Sequence, residues 1–230
     1  MNVRVNLLAI FVLSICSTSA HAQFDTVINL PENQDSPNPS QFSGNSIGFN
    51  TGISSSNTQL NVSDGGSVGS FFRAGTANGS NTNIEVNISG GTVGNGFDAN
   101  SGSTVNISGG VFGPTFDANS GSMVNISDGT FGNNFDAEDG STVNISGGTF
   151  GSSFDAEDGS TVNISGGTFG SLFDAGDGST INISGGGFGN SFTAEDGSTI
   201  NISGGGFGND FDAFSGSSVS ISGGGILTQW

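Results

Sequence analysis

The sequence predicts an all-β fold, a parallel β-helix (β-solenoid) of 19-residue coils, and three observations predict it. The run Thr104-Val105-Asn106-Ile107-Ser108-Gly109-Gly110 returns, with small variations, at Met123, Thr142, Thr161, Thr180, Thr199 and Ser218, each time 19 residues on. Thr142, Asn144 and Ser146 alternate with Val143 and Ile145, the period-two signature of a strand with one buried face. The same residue types hold the same places in coil after coil, as stacking in register demands and an antiparallel sandwich does not.

The elements of a coil follow in order from T-[VI]-N-I-S-G-G-x-F-G-x-x-F-D-A-x-x-G-S. The first strand ends where Gly147-Gly148 breaks the alternation. Phe150 and Phe154 point to one interior, with Gly151 between them allowing a bend, and Phe154-Asp155-Ala156 alternates again. Asp158-Gly159 supplies a turn tolerant of positive φ. Two or three short strands per coil result, and no helical stretch. Burying two Phe, a Val and an Ile falls short of the entropy of ordering nineteen residues, so one coil cannot fold alone. Stacked neighbours supply the difference through backbone pairing and ladders of identical side chains. At about 4.8 Å per coil, roughly eight coils give a rod about 40 Å long. Right-handed winding is expected, because left-handed solenoids favour a hexapeptide period that nineteen does not contain.

Four segments are expected. Residues 1–22 read as a secretory signal peptide: Arg4, the apolar run Leu7 to Ile15, then Ala20-His21-Ala22 as a cleavage site. Ile15 before Cys16 departs from the small residue that lipidation requires. Residues 23–57, with Pro31, Pro37 and Pro39, read as a linker grading into an irregular N-terminal cap. Residues 58–222 form the array, with a divergent copy from Leu60 to Ala74, a loop from Gly75 to Thr82, and a copy at Glu85 carrying Val93 for the first Phe. Residues 223–230 make an incomplete last coil ending in Ile226, Leu227 and Trp230, an uncapped edge that suits end-to-end association of the protein with itself.

The coil resembles those of secreted bacterial β-solenoid repeat proteins of the G-G-x-F-G-x-x-F-D-A type, over Thr58 to Gly225. That resemblance implies the fold and export, and no particular activity.

Loss of the leader removes Cys16, His21 and Arg4, which leaves Arg73 as the sole basic side chain and no disulfide. All 20 acidic residues lie after the leader, within a formal net charge of −18. Such a field repels phosphate, so nucleic acid is not an expected partner, and no later segment is apolar enough to span a membrane. Catalysis is not expected either. β-Helix polysaccharide lyases use Arg or Lys as base and clamp, and a nearly invariant array lacks the one irregular, loop-lined place where an active site sits.

Two rows carry candidate chemistry. The F-D-A aspartates Asp98, Asp117, Asp136, Asp155, Asp174 and Asp212, interrupted by Thr193, are expected to align down the rod. Carboxylates about 4.8 Å apart repel by roughly 1 kcal/mol in water. A hard cation such as Ca2+ between coils would relieve this, and a solvated face that keeps the rod soluble is the other reading. A second acidic row joins Asp139, Asp158, Asp177 and Asp196 with Glu138, Glu157 and Glu195 at the turn.

The outward Thr142, Asn144 and Ser146, with Thr161, Asn163, Ser165, Thr180, Asn182 and Ser184, make a lattice of hydroxyls and amides. It resembles the flat arrays of solenoid ice-binding proteins, though with Asn and Ser where those favour Thr. A hydrated face with Asn ladders bonding from coil to coil is one reading of it, and a binding face for ice or a carbohydrate such as a surface polysaccharide is the other. The N-I-S sequons are a by-product of the repeat, since Asn within a strand is a poor glycosylation acceptor. The function expected is a non-enzymatic, secreted or cell-surface structural or adhesive solenoid; the alternative is a binding protein using the Thr/Asn/Ser face.

Overall fold

The computed structural model describes residues 24–30, 42–43, 46–48 and 50–226. The expected leader, the proline-bearing stretch and Leu227 to Trp230 lie outside these residues. The described chain is all β, with no helix, and its strands stack in parallel as a solenoid.

Each regular coil has three strands, illustrated by β14 (Thr142–Ile145), β15 (Thr149–Phe150) and β16 (Phe154–Ala156). The first pairs in parallel with Thr161–Ile164 of the next coil, Thr142 opposite Thr161 and Ile145 opposite Ile164. The second pairs Phe150 with Phe169, and the third pairs Phe154, Asp155 and Ala156 with Phe173, Asp174 and Ala175. The third strands form a continuous nine-stranded sheet from Gly52–Ile53 to Phe211–Ala213. Identical residues therefore face one another from coil to coil, as the 19-residue interval requires.

The Gly-Gly corner is a close approach of two coils. Gly148 has φ +102°, and a Cβ on Gly147 would meet the Ser127 carbonyl oxygen of the preceding coil. Three early strands, Ile84–Val93, Ser103–Phe112 and Met123–Phe131, run on through this corner, where the pairing register shifts.

The interior is largely apolar, with a column of buried serines, Ser103, Ser122, Ser141, Ser160, Ser179 and Ser198. Val143, Ile145, Phe150, Phe154 and Ala156, with their equivalents, are buried. The phenylalanines form two interlocked columns. Phe150 stacks on Phe131 and Phe169 at 4.7 Å between centroids and meets Phe135 and Phe154 edge-on at 5.6 and 5.8 Å. Both arrangements are favoured by the ring quadrupole, and burial leaves these rings none of the outward surface that sugar stacking would need.

Two irregularities lie at the N-terminal end. Within the segment expected as linker and cap, β1 (Thr26–Leu30) pairs in parallel with β5 (Thr58–Val62), Thr26 opposite Thr58. The sequence hid this strand because 32 residues separate Asn29 from Asn61, and the strand lacks the glycine corner that marks later coils. The second is the expected loop, where Gly79 N–H bonds to Thr76 O at 2.9 Å and Asn81 is held by Thr76 and by the Ser54 carbonyl.

Candidate functional site

Two outward rows run the length of the rod on different faces. The first is the aspartate row. In every F-D-A strand from Phe97 to Ala194 the flanking Phe and Ala are buried and the middle side chain is half-buried. Parallel pairing sets Asp98, Asp117, Asp136, Asp155 and Asp174 opposite one another in turn, then Thr193, then Asp212.

Each carboxyl within the row is flanked by neighbours above and below that take the place of water. Burial, then the charges of Asp98 and Glu138, pushes Asp117 up to about 6. Burial, then Asp117, Asp155, Glu138 and Glu157, pushes Asp136 up to about 7. Asp155 and Asp174 are raised by burial first and by neighbouring carboxylates second. Asp98 is also raised by burial, although the Arg73 guanidinium pulls it down. Asp98 and Asp117 face one another in register, and the interaction between the two carboxyls raises Asp117 while lowering Asp98.

The raised carboxyls can hold protons that relieve part of the repulsion for which a bound cation was one reading and a solvated face the other. A Ca2+ site needs six to eight converging oxygens; among the described residues no group of three or more His, Cys, Asp or Glu is placed to hold a metal ion. Asp139, Asp158, Asp177 and Asp196 lie beyond the third strand, in the turns that lead into the next coil.

The second row is the Thr/Asn/Ser face, and its three columns have different fates. Each Asn donates Nδ2–H to the Asn Oδ1 one coil earlier, from Asn61 on Asn29 to Asn201 on Asn182, at 2.8–2.9 Å. Asn144, Asn163 and Asn182 belong to this ladder. The serine column bonds differently: Ser146, Ser165 and Ser184 donate Oγ–H to the Ile126, Ile145 and Ile164 carbonyls at 3.3–3.4 Å.

Asn, Ile and Ser together line a groove of about 730 Å3, running from Asn87 to Ser222 across eight successive coils. The groove follows the end of each first strand, Asn144-Ile145-Ser146 and its equivalents, just before the chain turns at the Gly-Gly corner. Thr142, Thr161 and Thr180 do not line it. The expected flat lattice is therefore a concave channel with a threonine column beside it. Sequence reasoning found all three columns but not the concavity, since alternation reports which face a residue occupies and not how the backbone bends beyond it.

No known family model, curated protein or solved structure matches the chain. The likeness to secreted solenoid repeat proteins holds at the level of fold, in about nine stacked coils of about 19 residues. No helix among the described residues is long and apolar enough to cross a membrane.

A further feature escaped the sequence. From the coil of Phe116 on, the residue just before each third strand adopts a left-handed conformation without being glycine: Thr115, Asn134, Ser153, Leu172, Ser191 and Asp210 have φ between 60° and 66°. Only Gly96, in an early coil, is the residue type that this geometry favours. Variability at this position concealed a shared backbone requirement.

Proposed function

We propose that the protein is a non-enzymatic rod exported from the cell, serving as a structural or adhesive element outside it. The observation that carries this reading is uniformity: from Thr104 to Ile202 the first strands follow one another with the same register over four residues, position facing position. A catalytic site needs one place unlike the rest. Export rests on the composition of residues 1–22, and the acidic character of the chain, with a formal net charge of −18 over its 230 residues, favours dispersal over contact with anionic lipid or nucleic acid.

Excision of single coils tests the reading. A repeat array is stabilised by nearest-neighbour interfaces, so removal of residues 123–141, 142–160 or 161–179 should each leave a folded, exported, shorter rod. Attachment of producing cells to a surface should fall to a similar, modest extent in all three. Loss of attachment on excising one coil but not its neighbours would point to a local site and overturn the proposal. Recovery of the protein only inside the cell, with residues 1–22 intact by mass spectrometry, would overturn the exported part.

A further inference from the structure

We propose that the Asn–Ser groove binds a linear, uncharged polysaccharide laid along the rod axis, with about one sugar ring per coil. This goes beyond the structural reading and stands separately, because a rod that binds no glycan is still a rod.

The groove has the size of a ligand site, about 730 Å3 against the roughly 300–1,000 Å3 typical of such sites. It is far longer than it is wide: eight coils at about 4.8 Å spacing span about 34 Å from first to last. A compact metabolite leaves most of such a channel empty, whereas an extended polymer fills it. No charged side chain lines it. The surrounding acidic surface disfavours polyanions, and the absence of lining carboxylates gives polycations no ion-pair partner within the channel.

Hydrogen-bonding capacity narrows the class further. From Asn106 to Asn201 the ladder uses one N–H of each amide, leaving the second N–H and a lone pair on the side-chain oxygen. The serine hydroxyls spend their proton on Ile carbonyls, so they face the channel as acceptors. Each coil thus offers one donor and two acceptors on either side of the Ile backbone, the Ile side chains themselves being buried in the core, and the set repeats at the inter-coil spacing. Hydroxyl groups both donate and accept, and a pyranose ring is about as long as that spacing of ~4.8 Å. An extended peptide advances about 3.3 Å per residue and falls out of register with the coils.

The ladder also holds the amides in place before any ligand arrives, which reduces the entropy lost on binding. Repetition makes affinity depend on length, since each added ring engages another coil without a new association step.

The test uses the mature chain in affinity electrophoresis through neutral linear polymers (a β-glucan, a xylan, a galactomannan and a dextran) and one polyanion, polygalacturonate. Titration calorimetry then follows the disaccharide and hexasaccharide of whichever neutral polymer retards it. At least one neutral polymer should retard the protein, polygalacturonate should not, and the hexasaccharide should bind at least tenfold more tightly than the disaccharide. Substituting the exposed groove residues Ser146→Leu, Ser165→Leu and Ser184→Leu together should abolish retardation. Thr149→Leu with Thr168→Leu, exposed but outside the groove, should leave it unchanged. Should the triple variant fail to fold, the side-chain amide resonances of Asn144, Asn163 and Asn182 in the native protein serve instead; they should shift on titration. Retardation by none of the neutral polymers, equal binding by the triple variant, preference for polygalacturonate, or unmoved Asn resonances would each overturn the proposal.

Discussion

Arg73 stands in register with Asp98, opposite it in the nine-stranded sheet, with its Nε 3.3 Å from Asp98 Oδ2. Its guanidinium also donates to Asn50 Oδ1 at 3.1 Å. Arg73, the only arginine or lysine after Arg4 in the sequence, thus sits at the N-terminal end of the aspartate row. Each later aspartate lies one coil farther from it, and at physiological ionic strength its influence fades over about 8 Å, roughly two coils. Asp136 accordingly draws no relief from it and is pushed up to about 7.

Stability should therefore fall as pH rises through the range in which these groups ionise. An acid whose folded-state pKa is raised holds more protons folded than unfolded, so its contribution is fully present below the unfolded value near 3.8 and is lost as pH passes the folded value. For Asp117 and Asp136, at about 6 and about 7, that window runs from about pH 4 to about pH 8. Melting followed by circular dichroism should give a higher midpoint at pH 5 than at pH 8, and Asp136→Asn should shrink the difference. An equal or reversed order of midpoints would contradict the desolvated row.

Arg73→Gln should raise Asp98 further and destabilise the rod at pH 8. A half-exposed ion pair is worth about 0.2–1 kcal/mol. With Arg73 49% exposed the loss should sit in that range and shrink at high salt. Chemical denaturation at pH 8 and pH 5 measures it, and a larger loss at pH 5 than at pH 8 would be the wrong sign.

Phe150→Ala removes a ring packed on four others. Such truncations cost about 3–5 kcal/mol, from lost transfer energy and the cavity left behind, and Phe131, Phe135, Phe154 and Phe169 are held in their own stacks and cannot collapse into the space. Urea denaturation should show a loss in that range. A loss below about 1 kcal/mol would mean that the columns are loosely packed.

Leu172→Asn should stabilise the protein. Leu172 has φ 66° and is 54% exposed, so it bears backbone strain without gaining burial. The left-handed region disfavours most L-residues by about 1–2 kcal/mol and is tolerated by Asn, and Asn134 already occupies the equivalent place at φ 62°. A gain of about 0.5–1 kcal/mol is expected, read as a higher melting midpoint; no gain would show the strain to be relieved elsewhere.

Much of this molecule was legible in its amino-acid order. A strict interval forces in-register parallel stacking, because identical residues can then satisfy identical neighbours; Val143, Ile145, Phe150 and Phe154 announced the core, and Asp98 to Asp212 announced their own alignment. The Asn144, Asn163 and Asn182 ladder was likewise foreseeable, since an amide stacked on an amide has one obvious partner. What tertiary structure alone decided is how these rows meet space and solvent. Alternation along Thr142 to Ser146 says which side chains point outward, but only the stacked coils show that Asn144 and Ser146 line a channel and that Thr142 lies outside it. The sequence counts the aspartates, but their protonation depends on how far the coils above and below exclude water. The strand Thr26–Leu30 has no repeat signature, and it joins the stack because β5 presents it with unpaired backbone. Curvature, desolvation and long-range pairing are set by coils that are neighbours in space, which is why a reading along one coil could not reach them.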